Sequence, residues 1–256
     1  MDTIRVSGAE LSATSLGGGD AAVFLHGLVS GSMASWYFPI AVPLSSRRRV
    51  LLYDQRGHGS SSIAATGYDL DSQVADLRAV LDHHGESGAI DVVGHSMGAL
   101  IALQFALTGP QRVRRLVLVD APVPAREYVA PGLLKVRSKD ALHQCAESEF
   151  GFATPLSGRR KERFHRRLEA LFFESSMVDD VLAMKSPSDE LLRQLPMPVL
   201  LVYGRRSHCF AAAQRLERLL PRAQLAVLDC GHHVPQEAPD ALRDCLDRFL
   251  SAARTP

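Results

Sequence analysis

A serine between two glycines, in the run Gly94-His95-Ser96-Met97-Gly98, is the residue in this 256-residue chain best suited to nucleophilic chemistry. The run follows the apolar stretch 90–93 and opens the helix-like stretch ALIALQFAL. A sharp strand-to-helix turn strains its central residue, and a glycine two positions away on each side leaves room for it. Backbone N–H groups at the helix N-terminus then favour negative charge near the hydroxyl. We therefore expect Ser96 to be a nucleophile; the alternative is a glycine-rich turn that serves only packing.

A second glycine turn, His26-Gly27-Leu28, ends the apolar run 22–25. Acyl transfer needs two converging N–H donors to stabilise the oxyanion. Met97, which follows the nucleophile, can supply one backbone N–H, and Leu28 can supply the other. We expect His26 to support this loop and to lie at the substrate site. Without Ser96, the same residues would indicate an ordinary turn at the end of a strand.

The general base is expected to be a histidine late in the chain. Gly231-His232-His233 follows the apolar run that ends at Leu228, so it lies at the carboxyl edge of a sheet, where α/β sites form. We favour His232 over His233 because it directly follows the glycine. His58, between two glycines, fits a turn. Four other histidines lie in helix-like patterns and are expected to be solvated: His83, His84, His143 and His165.

Eight short apolar runs predict the strands that position these residues. They cover 3–6, 11–16, 22–25, 50–53, 90–93, 116–119, 199–203 and 225–228. The core runs are continuous rather than alternating, which is typical of strands covered on both faces. Helix-like periodicity fills gaps at 69–83, 96–107, 211–220 and 237–250. The pattern predicts an α/β fold with a mostly parallel sheet.

One gap between strands is much longer than the others. Residues 121–198 have no strong strand pattern and contain helix-like stretches at 138–150, 159–173, 175–185 and 188–195. We therefore predict an α/β core formed by residues 1–120 and 199–256. Residues 121–198 are predicted to be a helical cap, or lid, inserted between the sixth and seventh strands.

The order of these motifs resembles the α/β-hydrolase superfamily over essentially the whole chain. The matching pieces are His26-Gly27, the run DQRGHGSS at 54–61, GHSMG at 94–98 and Gly231-His232. The resemblance implies an eight-stranded, mostly parallel sheet with helices on both faces and a cap after the sixth strand. It also implies a Ser–acid–His triad, with Asp54 and Arg56 in structural roles.

The acid of this triad is not at its commonest position. After the seventh strand, Ser207 stands where the family usually has an aspartate, and a neutral serine cannot stabilise an imidazolium as a carboxylate does. The chain resembles a branch of small acyl esterases in which the acid follows the sixth strand and G-x-x-S occupies the vacated position. Asp120 is therefore the expected acid. The alternatives are that Asp229 or Asp91 is the acid, or that the enzyme lacks the acid and is impaired. Asp120 could also be a turn or helix-cap residue.

These residues predict a serine hydrolase that cleaves a carboxylic ester or thioester through an acyl-enzyme on Ser96. His232 would take the serine proton, and Asp120 would fix its tautomer and stabilise the cation. The same triad could serve a lyase, a cyclase or an acyltransferase. A non-catalytic small-molecule-binding protein is the third alternative; Ser207 would then indicate that the catalytic acid had been lost.

Apolar residues near these loops are candidates for an acyl pocket. We expect Trp36, Val123 and Val234 to contact a small acyl-ester or acyl-thioester substrate; for Trp36, packing in the core is the simpler alternative. The run RRKERFHRR at 159–167 is the densest basic segment of the chain. It could bind an acidic acyl carrier protein or the phosphates of CoA; the simpler alternative is a solvated helix face.

Composition excludes several other classes of function. Lys plus Arg is 29 and Asp plus Glu is 28, so the net charge of +1 gives no indication of nucleic-acid binding. No apolar run is long enough to predict a membrane span. The four cysteines show no CxxC pair, so neither a metal nor a disulfide framework is expected, and no cofactor is indicated. Without a signal-like N-terminus, a cytoplasmic location is expected.

Overall fold

The computed structural model describes residues 1–29, 31–148 and 157–251. Its centre is one eight-stranded sheet with the spatial order β1-β2-β4-β3-β5-β6-β7-β8. β2 pairs antiparallel with β1 and β4, and all the other strand pairs are parallel. The strands are β1 Asp2–Val6, β2 Ala9–Leu16, β3 Ala21–Leu25, β4 Arg49–Tyr53, β5 Ile90–His95, β6 Val113–Val119, β7 Val199–Gly204 and β8 Ala223–Leu228. The predicted mostly parallel, eight-stranded α/β sheet is therefore confirmed.

Helices cover both faces of the sheet. They are α1 Ala34–Trp36, α2 Val42–Leu44, α3 Leu70–His83, α4 Met97–Thr108, α5 Ala125–Tyr128, α6 Ala130–Leu133, α7 Lys139–Ser148, α8 Gly158–Phe173, α9 Met177–Ala183, α10 Asp189–Arg193, α11 Phe210–Leu219, α12 Val234–Glu237 and α13 Pro239–Ser251. A π-helical turn, Tyr37–Ala41, joins α1 to α2, and a 3₁₀ turn, Pro110–Arg112, leads into β6. No described helix is long and apolar enough to cross a membrane.

Alternate residues of the buried strands point into two separate apolar clusters. In β3, Val23 and Leu25 join the cluster beneath α3 and α4, whereas Ala22 and Phe24 join the cluster beneath α13. Because every residue of β3 is buried, the strand reads as a continuous apolar run. This double covering explains why the strands were predictable from the sequence.

β6 begins three residues earlier than predicted because its first residues include two arginines. Arg114 and Arg115 both pair with Asp91 on the neighbouring strand β5, at 2.9 Å and 3.5 Å. Arg48 pairs with the same carboxylate at 2.8 Å, and Asp91 is completely buried. The charges that interrupt the apolar pattern are therefore paired within the fold. This arrangement makes Asp91 a structural residue far from the serine turn.

Every described element between β6 and β7 is helical. The predicted helix 159–173 corresponds to α8, in which Leu168, Leu171 and Phe172 are buried in the same apolar cluster as α4. The end of the predicted helix 138–150 lies outside the described residues. Because these helices share one apolar core with the sheet, the division into core and cap remains a prediction.

Candidate active site

Ser96 lies at a strained turn between β5 and α4. Its φ of 53° and ψ of −118° place it in a region that side-chain-bearing residues rarely adopt. A Cβ on Gly94 would come within 2.2 Å of the Gly98 carbonyl oxygen, and one on Gly98 within 2.4 Å of the Leu25 carbonyl oxygen. Both glycines are therefore required by close backbone approach. The turn holds the Ser96 hydroxyl at the carboxyl edge of the sheet.

The loops after β6 and β8 bring an acid and a histidine to this serine. Nε2 of His232 is 2.9 Å from Oγ of Ser96, and Nδ1 of His232 is 2.6 Å from Oδ2 of Asp120. Asp120 is completely buried. With its Nδ1–H donated to the carboxylate, His232 has Nε2 available to accept the serine proton. The geometry thus brings together the three residues that the sequence singled out, including an acid from the sixth strand.

The Asp120 carboxylate is held by the end of β7. The Gly204 N–H donates to Oδ1 at 2.9 Å, and the Ser207 hydroxyl donates to Oδ2. The Cys209 N–H in turn donates to Ser207 Oγ at 3.0 Å. The serine in the usual acid position therefore contacts the acid itself, an arrangement that the sequence did not reveal.

The loop that carries His232 is fixed from two sides. The ring of His95 donates from Nε2 to the His232 carbonyl oxygen at 2.8 Å. The Glu237 carboxylate accepts the N–H of Gly231 at 2.7 Å and that of His233 at 3.1 Å. Burial and the neighbouring His232 hold the pKa of His95 well below its ordinary value, so its ring is a neutral donor. His95 was visible in the serine motif, but nothing in the sequence indicated this contact.

Leu28 and Met97, the predicted oxyanion donors, flank Ser96. Gly27 packs so closely here that a Cβ on it would lie 3.3 Å from the Ser96 Cβ. Leu28 follows it and lines the same cavity as Ser96. Met97 is the first residue of α4, and the first N–H groups of a helix have no partner within it. Their role as oxyanion donors remains a prediction that this placement allows.

The side chain of His26 lies behind the oxyanion loop, so its predicted place at the substrate site needs correction. It is completely buried, donates from Nδ1 to the Gly27 carbonyl oxygen at 2.8 Å and accepts the Gln55 N–H at 3.0 Å. His58, expected only to occupy a turn, accepts the N–H of Val29 at 3.0 Å. Burial lowers the pKa of His26 to about 4 and that of His58 to about 3. Two neutral histidines therefore support this loop.

Three further residues predicted to contact substrate do not line the active-site cavity. Trp36 and Val234 are buried in the cluster on the opposite face of the sheet, where Trp36 packs edge-on against Phe24 at a ring-centroid distance of 5.3 Å. Val123 is buried and lines a different, smaller cavity together with Leu100 of α4. These residues are close in sequence to the loops of the site, but their side chains pack into the protein core. The prediction that they contact substrate is therefore wrong.

A cavity of about 410 Å³ opens beside Ser96 and His232. Its lining is mainly apolar and aromatic, and comes largely from the segments after β6. These residues are Leu28, Val29, Pro122, Tyr128, Val129, Leu133, Val136 and Phe172. His208 and His233 add polar groups at the same cavity. Among the described lining residues there is no lysine, arginine or carboxylate side chain.

Cys209 is buried directly beside the histidine. Its Sγ is 3.8 Å from Nδ1 of His232. Burial and the charge of Asp120 raise the pKa of the Cys209 thiol far above its usual range, so the group is a neutral thiol. A neutral buried thiol is a poor nucleophile, which favours Ser96 over Cys209 as the candidate nucleophile.

The basic segment forms most of α8. Arg159, Arg160, Arg163 and Arg166 are exposed and form what we call the basic face of α8. Arg167 is instead half-buried and donates to the carbonyl oxygens of Gly57, His58 and Ser61. One arginine thus anchors the helix to the core, while the others face solvent.

Comparison with known proteins identifies the class to which this fold and site belong. The family described as "alpha/beta hydrolase fold" matches residues 21–180, which is more than half of the chain. The chain therefore belongs to the alpha/beta hydrolase fold family, as its motifs predicted.

Two relatives of similar length are named as hydrolases. The chain is 28% identical to a 2-(acetamidomethylene)succinate hydrolase of Mesorhizobium japonicum over 92% of this chain and 90% of the relative. It is 28% identical to a 2-hydroxy-6-oxo-2,4-heptadienoate hydrolase of Pseudomonas putida, over 97% and 95%. The enol-lactonase of Burkholderia xenovorans LB400 has the same fold, with a TM-score of 0.78 at 22% identity, over 98% of this chain and 100% of that one. The expectation of an enzyme of the α/β-hydrolase class is confirmed.

Proposed function

We propose that this hydrolase cleaves carboxylic esters or thioesters through an acyl-enzyme on Ser96. The observation that carries the proposal is the continuous hydrogen-bonded chain from Ser96 through His232 to the buried Asp120. A strained nucleophile, a base within hydrogen-bond reach and an acid that orients the base are the requirements for acyl transfer. A receptor without activity would not require them.

In the first step, Ser96 Oγ attacks the acyl carbonyl carbon while His232 accepts its proton at Nε2. Asp120 keeps the other proton on Nδ1 and stabilises the imidazolium that forms. The backbone N–H groups of Leu28 and Met97 stabilise the oxyanion. His232 then returns the proton to the leaving alcohol or thiol, and the acyl group stays on Ser96.

In the second step, water replaces the leaving group. His232 removes a proton from the water, which attacks the acyl carbonyl carbon of the Ser96 ester. Collapse of the tetrahedral intermediate releases a carboxylic acid and returns the proton to Ser96. The hydrolase relatives favour water over an acyl acceptor or a lyase pathway as the fate of the intermediate.

The cavity supports a neutral, apolar acyl group as the substrate class. Two relatives are named for carboxylate substrates, a succinate and a heptadienoate, and a carboxylate in a pocket needs a cationic partner. The described cavity lining offers no arginine or lysine, and the sequence of residues 149–156 contains neither. A volume of about 410 Å³ suits a small or medium acyl chain.

The test is turnover of p-nitrophenyl esters from acetate to decanoate, alongside a matched ester that ends in a carboxylate, such as p-nitrophenyl hydrogen adipate. We expect the neutral hexanoate to be preferred over the anionic adipate by about tenfold or more. Ser96→Ala and Asp120→Asn should each lose nearly all activity while keeping the wild-type fold by circular dichroism. Undiminished turnover by Ser96→Ala would refute the acyl-enzyme.

The basic face of α8 supports an acidic carrier as the partner that delivers the acyl group. We propose that an acyl carrier protein binds Arg159, Arg160 and Arg163, since exposed arginines suit negatively charged helical surfaces. CoA, through its phosphates, is the smaller alternative. In either case the scissile bond is a thioester.

Charge reversal tests this partner. A triple variant, Arg159→Glu/Arg160→Glu/Arg163→Glu, should lower kcat/KM for an acyl carrier thioester by about tenfold or more, because charged steering is lost. Its turnover of p-nitrophenyl hexanoate should match wild type. The control reverses three exposed arginines away from α8: Arg5, Arg193 and Arg218. Equal losses in both triple variants, or equal losses on both substrates, would contradict carrier binding.

A further inference from the structure

A cluster of metal-ligating side chains lies on the Asp120 side of His232. One ligand atom each from His208, Cys209 and His232 lies within 4.8 Å of the other two. His208 is exposed and Cys209 is buried, so the cluster extends from the cavity surface into the interior. The mechanism uses only His232 of these three residues.

The spacing of two of these atoms, the Cys209 sulfur and the His232 Nδ1, is close to that of a zinc site. Zinc binds thiolate sulfur at about 2.3 Å and imidazole nitrogen at about 2.0 Å, so tetrahedral geometry separates the two donors by about 3.5 Å. Cys209 Sγ and His232 Nδ1 are 3.8 Å apart. One thiolate and two imidazoles are donors that zinc prefers. Side-chain movements would complete three of its four ligands, and Asp120 Oδ2, 2.6 Å from the same His232 nitrogen, could be the fourth.

We propose that His208, Cys209 and His232 form an inhibitory zinc site. On binding, Cys209 releases its thiol proton to solvent and coordinates as the thiolate, and both histidines coordinate as neutral imidazoles. Zinc occupies the Nδ1 lone pair of His232 and replaces the hydrogen bond to Asp120. The remaining ring proton of His232 must then reside on Nε2.

This change of tautomer explains the inhibition. With a proton on Nε2, His232 can no longer accept the proton of Ser96, so the serine is not activated. The zinc site is a proposal separate from the hydrolysis of esters. It can be tested separately, because zinc binding can be measured without any substrate. It does not follow a CxxC pattern, since two ligands are adjacent in the loop after β7 and the third comes from the loop after β8.

The experiment titrates zinc into the wild-type protein and matched variants, by calorimetry and by ester turnover normalised to each zinc-free rate. Cys209→Ser and His208→Asn remove a proposed ligand. Cys245→Ser is the cysteine control, because Cys245 is buried against the opposite face of the sheet. His84→Gln is the histidine control, since His84 belongs to another ligand cluster with Asp2 and His83.

We expect zinc to inhibit the wild-type protein reversibly, with activity restored by EDTA. Cys209→Ser and His208→Asn should each bind zinc at this site at least about tenfold more weakly, and inhibition of their ester turnover should need a correspondingly higher zinc concentration. Both controls should behave as wild type. Equal inhibition of wild type and Cys209→Ser would overturn the proposal. So would calorimetric binding lost only in His84→Gln. If no ester were turned over, the calorimetric arm would still decide zinc binding, separately from the proposed hydrolysis.

Discussion

Ser207, after β7, donates a hydrogen bond from its hydroxyl to Oδ2 of Asp120, after β6. The same oxygen accepts the Nδ1 proton of His232. A residue in the usual position of the acid thus donates a hydrogen bond to the candidate acid on the neighbouring strand. The two strands are adjacent and parallel, with Val119 of β6 paired to Val202 of β7, so the loops that follow them lie side by side.

Removing the Ser207 hydroxyl should lower kcat more than it changes KM. A hydrogen bond to a charged group contributes about 1.5–3 kcal/mol, so Ser207→Ala should lower kcat by about 10- to 100-fold if that contribution is made in the transition state. Ser207→Thr keeps a hydroxyl and should recover much of the loss. Steady-state kinetics on p-nitrophenyl hexanoate measures both. A large rise in KM with unchanged kcat would show that Ser207 does not act through Asp120.

The acid should be transferable between the two strands. Asp120→Ala should lower kcat by roughly three to four orders of magnitude, as loss of the acid does in related triads. The double variant Asp120→Ala/Ser207→Asp places a carboxylate on the other side of the vacated space and should recover at least about tenfold. Ser207→Asp alone should be impaired, because two carboxylates in one buried site repel each other. No recovery in the double variant would show that only the β6 position orients His232.

The fold and the serine turn could be predicted from the sequence because local patterns determine them, whereas the choice of Asp120 as the acid rested on the family resemblance. Continuous apolar strands and the glycines around Ser96 are signals within a few residues. Which side chains line the cavity is a different problem, because it depends on the face of the sheet that each segment covers. Trp36 and Val234 pack on the opposite face, and His95 contacts a carbonyl oxygen 137 residues away. Ser207 was noticed only as a missing acid, since its partner lies on another strand.

Gly98→Ala should disrupt the serine turn. The added methyl group would meet the Leu25 and His26 carbonyl oxygens at 2.4 Å and 2.6 Å, and backbone atoms cannot yield as a flexible side chain can. We expect a loss of stability of at least about 1–3 kcal/mol and little labelling of Ser96 by a fluorophosphonate. Gly88→Ala, at a position with open space, is the control. Normal labelling of Gly98→Ala would contradict the close approach.

Asp91 should be important for stability and unimportant for chemistry. Asp91→Ala leaves Arg48, Arg114 and Arg115 without their buried carboxylate, and breaking such a buried network costs about 3–5 kcal/mol. Urea unfolding should show this loss, while kcat of the folded fraction stays near wild type. Arg5→Ala, which breaks an exposed pair with Glu10, is the control and should have a small effect by comparison. A similar midpoint for both variants would refute the structural role.

Acid should destabilise the protein through the two histidines behind the oxyanion loop. Burial lowers the pKa of His26 to about 4 and that of His58 to about 3. The unfolded chain binds these protons near pH 6.5, so it holds more protons than the folded state at lower pH, and the free energy of unfolding falls as pH drops. A shift of this size corresponds to about 3 kcal/mol for His26, lost gradually between about pH 6.5 and 4.

The variant His58→Gln tests this prediction. Glutamine can still accept the Val29 N–H that His58 accepts at 3.0 Å, but it does not titrate. Urea unfolding from pH 7.5 to 4.5 should therefore show a shallower fall in stability for His58→Gln than for wild type, whatever its stability at pH 7.5. His83→Gln, at an exposed histidine, should keep the wild-type slope. Parallel curves for wild type and His58→Gln would mean that His58 has the same pKa in the folded and unfolded chain, which would contradict the prediction.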